Sequence, residues 1–408
     1  MKKHNRLRIY KVIALAVALV LIYSLSAFSL STSIDERAVV TMMGIDYKDD
    51  EVCVTAHLLV SVLGGENAFV QDTAEGRGAT LFEALNRFSV LHGRKAEFSH
   101  CGLVVVGESM LERGIRNEMQ ALLSAGTLSP GTLLIASKGE SAQEFVVAAN
   151  DLGLEANEDI ARFINRFERS LSMPHMTLVD FLRNEMGESG ASFLPAVKLE
   201  YRDEALIPQG QMGPPMPGEG EDEEIPVPVA DIASIDTAIV TKGGVKTGEL
   251  NKDETMGLNF TKPQSNKGIV TIDGFTHNEK EYGAVFAQVK RKRVRVSSSF
   301  KDGKPHILYD IVMYVDVSTK HEFLHLTDFG QGEKSAIYRT IENAFSEKAV
   351  LQVTAAAKAA KDLETDFMGW QYRFARRNSR KKAIYTAEEE NVFLNDIVIE
   401  TRVRVRAR

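Results

Sequence analysis

The sequence predicts an α+β protein: an N-terminal membrane anchor followed by two or three mixed α/β domains, the last an antiparallel sheet packed on a long helix. Three observations predict it. Residues 12–31 run for twenty positions without a charge. Strand-like and helix-like patterns alternate from there to residue 202. Beyond residue 230, strand-like runs follow one another and then give way to a single long helical pattern.

An uncharged segment of that length spans a hydrocarbon core of roughly 30 Å. Lys2, Lys3, Arg6, Arg8 and Lys11 precede it, and a basic flank keeps its side of a span in the cytoplasm. The rest of the chain is therefore expected at the extracytoplasmic face. The solidly apolar part ends at Tyr23, and serines recur at 24, 26, 29 and 31. That pattern also fits a cleaved secretory signal, with Ser24-Leu25-Ser26 or Ala27-Phe28-Ser29 before the cut. The retained anchor is the reading carried forward, and both readings imply export.

Composition excludes several classes. Hydrophobic content of 44% and charged content of 26% are those of a globular chain, and a net charge of −7 does not point to nucleic acid. Two cysteines in 408 residues exclude a disulfide scaffold. Cys53 and Cys101 lie in apolar strand-like runs and read as buried thiols, a single bridge being the alternative.

Residues 38–60 give two strands separated by Lys48-Asp49-Asp50-Glu51, a hairpin. Thr80 opens a helix that places Leu81, Leu85 and Phe88 on one face, with Thr80 and Glu83 spaced for a capping box. Val104, Val105 and Val106 form a buried strand ending at Gly107. Helical patterns cover 108–125, 141–149 and 156–186, with strands at 133–137 and 192–200. Residues 203–230 hold six of the eleven prolines, seven acidic residues and no basic one. They read as an extended, self-repelling linker, or as an irregular insertion inside one domain. They separate an N-terminal region, 32–202, from a C-terminal one, 231–408.

In the C-terminal region, strands are expected at 234–241, 268–275, 281–298 and 306–318. A helix follows from Glu333 to Asp366, its apolar stripe carried by Ile337, Ile341, Phe345, Ala349, Val353, Ala356, Ala360 and Leu363. A last strand alternates Ile397, Ile399, Val403 and Val405 with Glu400, Arg402, Arg404 and Arg406, so the arginines share one wet face.

Candidate chemistry is sparse. His321-Glu322-Phe323-Leu324-His325 has two imidazoles at zinc-site spacing, but its flanks alternate as strand and no third ligand stands at a metal-site spacing, so strand or turn histidines are the preferred reading. His100 and Cys101 are adjacent on a presumed strand and point to opposite faces, which excludes a Cys–His pair. No phosphate-binding glycine motif or nucleophile elbow occurs. Lys290-Arg291-Lys292-Arg293-Val294-Arg295 is the densest charge run. Val285, Ala287 and Val289 set one parity and Val294 and Val296 the other, so a bulge near 291–293 is expected. The run reads as a charge-protected edge strand, or as a patch facing anionic lipid or an acidic partner. Arg376, Arg377, Arg380, Lys381 and Lys382 pose the same choice. No catalytic, cofactor-binding or metal-binding residue is assigned.

Several segments together resemble the C subunit of spore germinant receptors, the GerAC/GerBC-type family. Gly44-Ile45-Asp46 closes the first strand, as in that family. Gly78-Ala79-Thr80-Leu81-Phe82-Glu83-Ala84 is similar to its G-x-T-L-x-E-A segment. Phe98-Ser99-His100 before Gly107-Glu108, Gly248-Glu249-Leu250, Glu254-Thr255-Met256-Gly257 and Asp366-Phe367-Met368-Gly369 follow in the family's order, over residues 34–408 apart from the acidic segment. The start departs from the pattern. The family's lipid-modified cysteine falls at Phe28, and residues 28–33 read FSLSTS, so thioether lipidation is excluded there and a retained helix replaces it. Gly44, Gly107 and Gly248 are read as strand ends that use positive φ, and Asp366 with Gly369 as the terminus of the long helix.

The resemblance implies a non-enzymatic subunit that assembles with A-type and B-type integral-membrane partners in the inner spore membrane and acts by scaffolding and signal coupling. The alternatives are an exported envelope hydrolase, with His321, Glu322 and His325 as its candidates, or a generic envelope adaptor.

Overall fold

The computed structural model describes residues 15–18, 20, 37–61, 69–91, 95–139, 141–151, 170–202, 229–317, 330–378 and 390–408. It is a mixed α/β protein with a large sheet and a smaller one.

The large sheet opens with the expected hairpin. β1 (Arg37–Lys48) and β2 (Glu51–Ser61) pair antiparallel. Asp49 and Asp50 turn between them at φ 53° and 63°, the left-handed pair that matches strand twist in a two-residue connection. β3 (Phe69–Gly78) extends the sheet. α1 (Leu81–Leu91) covers it through buried Leu81, Leu85 and Phe88. Its N-terminus is a capping box shifted by one residue. The Thr80 hydroxyl accepts from the Glu83 N–H at 3.3 Å, but the Glu83 carboxylate accepts from Ala79 at 3.1 Å instead of from Thr80.

β4 (Lys95–Glu97), β5 (Leu103–Val106), β6 (Leu133–Ser137) and β7 (Ala191–Arg202) join as parallel strands. β5 and β6 are buried at every position, as parallel strands covered on both faces must be. α2 (Glu108–Arg113), α3 (Arg116–Ser124), α4 (Ala142–Asp151) and α5 (Leu178–Glu185) supply cover. The helix expected over 108–125 is split at Gly114, whose φ of 104° no helix accommodates. Of the one expected over 156–186, residues 156–169 lie outside the described residues, and the described part is helical only over α5. Ser170 bridges to Lys267, residues 171–177 are not helical, and the Thr177 side chain caps α5 through the Asp180 N–H at 3.2 Å.

β8 (Val229–Lys242) and β9 (Val245–Leu250) complete the sheet in the order β3-β2-β1-β5-β6-β7-β8-β9, with β4 on β1. Arg202 pairs with Val229, so the ends of the acidic segment are neighbours and sheet hydrogen bonding continues across it. Residues 203–228 lie outside the described residues.

The smaller sheet has the order β10-β13-β14-β15: β10 (Gly268–Ile272), β13 (Val285–Lys301), β14 (Lys304–Val317) and β15 (Val398–Ala407). A small hairpin, β11 (Thr276–His277) with β12 (Lys280–Glu281), precedes β13. The mostly antiparallel sheet expected from the sequence is antiparallel over β10, β13 and β14 and departs from that at its last strand. β15 runs parallel to β14, because α7 (Gln331–Asp362), α8 (Trp370–Arg377) and α9 (Glu390–Asp396) lie between them and return the chain to the same end of the sheet. The α7 stripe is buried from Ile337 to Ala360 as expected. It packs on α6 (Lys252–Thr261), which carries the full capping box of Asn251 and Glu254.

The glycine reading is corrected too. Gly44, Gly107 and Gly248 have no positive φ. A side chain at each would strike the Ala142 carbonyl, the Asp46 carboxylate and Leu363 respectively. Their role is close approach.

Of the proposed anchor, residues 15–18 and 20 are described. They are helical, with Leu15, Val17 and Val20 exposed. Among the described residues no helix is long and apolar enough to cross a membrane.

Candidate functional site

A cavity of about 700 Å³ opens where the C-terminal end of α5 faces α8 and the inner edge of β13. Its far wall is fixed by Asp366. This buried carboxylate accepts the N–H groups of Trp370 at 2.9 Å and Gln371 at 2.7 Å, so it starts α8 and does not end α7, which has already stopped at Asp362. Gly369, at φ 72°, makes the reversal. Trp370 is fully buried and donates through Nε1 to the Tyr309 hydroxyl at 2.8 Å, and Ser298 donates to the Arg373 carbonyl at 3.3 Å. With Trp370 and Phe374 packed inward, the remaining helix face turns Arg373, Arg376 and Arg377 to the cavity. Spacings of three and four place them together.

Lys262, just past α6, lines the same space. Its ammonium lies 5.0 Å from the centre of the Phe193 ring, and burial, with the nearby Arg373 guanidinium second, pushes its pKa down to about 8. Lys262, Arg373, Arg376 and Arg377 make no side-chain hydrogen bond or ion pair among the described residues. Arg183 at the rim is paired with Asp180 at 2.6 Å. Phe367, Met368 and Val296 supply apolar wall, and Glu188 is the lining carboxylate. The arrangement suits binding of negative charge.

The basic run of β13 divides between two faces. The bulge falls between Val289 and Arg291, one residue before its expected place. It turns Arg291, Arg293 and Arg295 outward and Lys292 inward. Cross-strand rows then read Arg291–Tyr314–Arg406, Arg293–Val312–Arg404 and Arg295–Asp310–Arg402. Asp310 pairs with Arg404 at 2.9 Å, and Glu400 with Arg402 at 2.5 Å. Lys292 is buried and held by main-chain carbonyls, so the reading of the whole run as a solvated strand is corrected at that residue. β10 flanks β13 only over Val285–Val289, and among the described strands none flanks the arginine half on that side.

The other sequence candidates do not assemble. His321, Glu322 and His325 lie outside the described residues, as do Arg380, Lys381 and Lys382. Among the described residues no group of three His, Cys, Asp or Glu is placed to hold a metal. Ser99 and His100 form a turn, not a strand, with His100 exposed. Cys101 is buried, donates to the Leu103 carbonyl at 3.3 Å, and has its pKa pushed up to about 12 by burial. Cys53 and Cys101 are both free thiols. Lys262 and Arg373 carried no sequence signal. Arg376 and Arg377, singled out in the sequence as part of a basic cluster, were the legible trace of the cavity.

Comparison with known proteins places this architecture. Residues 31–199 match a family model described as the spore germination protein N-terminal domain. Residues 235–408 match one described as spore germination B3/GerAC like, C-terminal. A solved structure, the crystal structure of the GerBC protein, is similar over 90% of this chain and 96% of that one, with a TM-score of 0.51 at 15% identity. At that identity the likeness is one of fold. No curated protein matches the chain by sequence.

Proposed function

The chain belongs to the GerAC-like spore germination family, and from that premise we propose that it is the C subunit of a nutrient-germinant receptor and acts without catalysing a reaction. The observation that carries this reading is the presence of both family domains, in order, over residues 31–199 and 235–408.

In this reading residues 12–31 hold the protein at the extracytoplasmic face of the inner spore membrane. There it assembles with the A-type and B-type integral-membrane subunits, as scaffold and signal coupler. Support comes from the basic tip ahead of the uncharged segment and from the exposed Leu15, Val17 and Val20 on its described helical residues. Apolar side chains left facing outward suit a lipid environment. The arginine rows of the smaller sheet give the body a charged face suited to orientation near an anionic surface.

Deletion in the spore-forming host tests the reading. Spores lacking the chain should lose their response to one nutrient. Full-length protein should restore that response, and protein lacking residues 1–31 should not. An unchanged response to every nutrient that wild-type spores sense would overturn it.

A further inference from the structure

We propose that the cavity between α5 and α8 is a binding site for a small organic anion, a carboxylate or phosphate ester on an apolar body, held by Lys262, Arg373, Arg376 and Arg377. This goes beyond the receptor reading, which assigns the subunit no ligand.

Four observations converge. The volume, about 700 Å³, lies within the range of small-molecule sites. Four cations line it, none of them in a direct ion pair among the described residues, against one lining carboxylate, Glu188. Burial first, and the Arg373 guanidinium second, lower the Lys262 pKa, as expected for an amine held out of water beside a like charge. Finally, the wall is rigid, because Asp366, Trp370 and Tyr309 fix α8 from behind. A preorganised wall reduces the ordering cost of binding. Phe367, Met368 and Val296 line the remaining surface, so an anion carrying an apolar ring or chain fits better than a bare ion. Guanidinium groups pair with carboxylate and phosphate in a bidentate fork.

The test is isothermal titration of the full-length chain in detergent with phenyl phosphate and benzoate, against phenol as the neutral control, at fixed ionic strength. Saturable binding of at least one anion, none of phenol, and at least a tenfold loss of affinity in Lys262→Gln and Arg373→Gln are expected. Arg376→Gln, at an exposed position, should weaken binding with the thermal midpoint unchanged, which separates binding from folding. Absence of saturable binding by either anion, equal binding of phenol, or unchanged affinity in all three variants would overturn the proposal. So would adsorption to phosphatidylglycerol vesicles that depends on these residues while neither soluble anion binds, since the cations would then serve a lipid headgroup.

Discussion

The ammonium of Lys292 donates to the main-chain carbonyl of Phe260 at 3.1 Å. The Asn259 carbonyl accepts from it as well, at 2.5 Å. Both carbonyls belong to the last turn of α6, beyond the reach of its i→i−4 ladder; the Asn259 carbonyl also accepts the Lys262 N–H at 3.1 Å. A strand lysine therefore closes the C-terminus of a helix inside the protein, and burial holds its pKa well below the ordinary lysine value. Lys292→Met keeps the apolar stem and removes the donor. It should cost about 1–3 kcal/mol in denaturant unfolding, the penalty for a buried acceptor, the Phe260 carbonyl, that loses its donor. Unchanged stability would show that the contact contributes nothing.

Gly257 sits where α6 crosses α7, and a side chain there would strike the backbone carbonyl of Gln352. Backbone cannot move aside as a side-chain end can. Gly257→Ala should destabilise by about 1–3 kcal/mol, as overpacking does, despite alanine's better helix propensity. A gain in the thermal midpoint would contradict the close approach.

Asp366→Ala removes both acceptors at the start of α8. A lost N-cap costs about 1–2 kcal/mol, and amide exchange at Trp370 and Gln371 should accelerate ahead of exchange in α7. Equal protection before and after the substitution would contradict the capping role.

Lys262 should couple stability to alkaline pH. Its folded value, about 8, lies below the ordinary 10.5, so the protonated amine is disfavoured by folding. That cost is complete below about pH 8 and disappears as pH rises toward about 10.5. Arg373 adds to it, while Asp366 and Asp180 oppose it. Lys262→Met should therefore gain on the wild type most below pH 8, and the gap should shrink with rising pH. A gap that widens toward pH 10 would contradict the sign.

Cys53 and Cys101 are free and buried. Without reductant, the native protein should react slowly with a thiol reagent and the denatured protein should show two thiols. Fewer than two would mean a bridge.

Legibility followed from what sequence patterns encode. Asp49-Asp50 between two apolar runs specifies a hairpin locally, and the stripe from Ile337 to Ala360 specifies a buried helix face. The alternation in β15 reports which side chains face inward, yet carries nothing about strand direction, so its parallel pairing with β14 was hidden. Lys292 reads as charge until the bulge after Val289 sets its parity. Gly44, Gly107 and Gly248 answer to atoms distant in the chain, which no local pattern reveals. Lys262 and Arg373 come from separate elements, and only folding brings them to one cavity.

Affinity capture of the full chain with residues 12–31 intact, from membranes of sporulating cells in mild detergent, tests the receptor assignment most directly, with mass spectrometry of what copurifies. The predicted result is recovery of both the A-type and the B-type integral-membrane subunits. Recovery of no integral-membrane partner, while another membrane complex survives the same detergent, would contradict it.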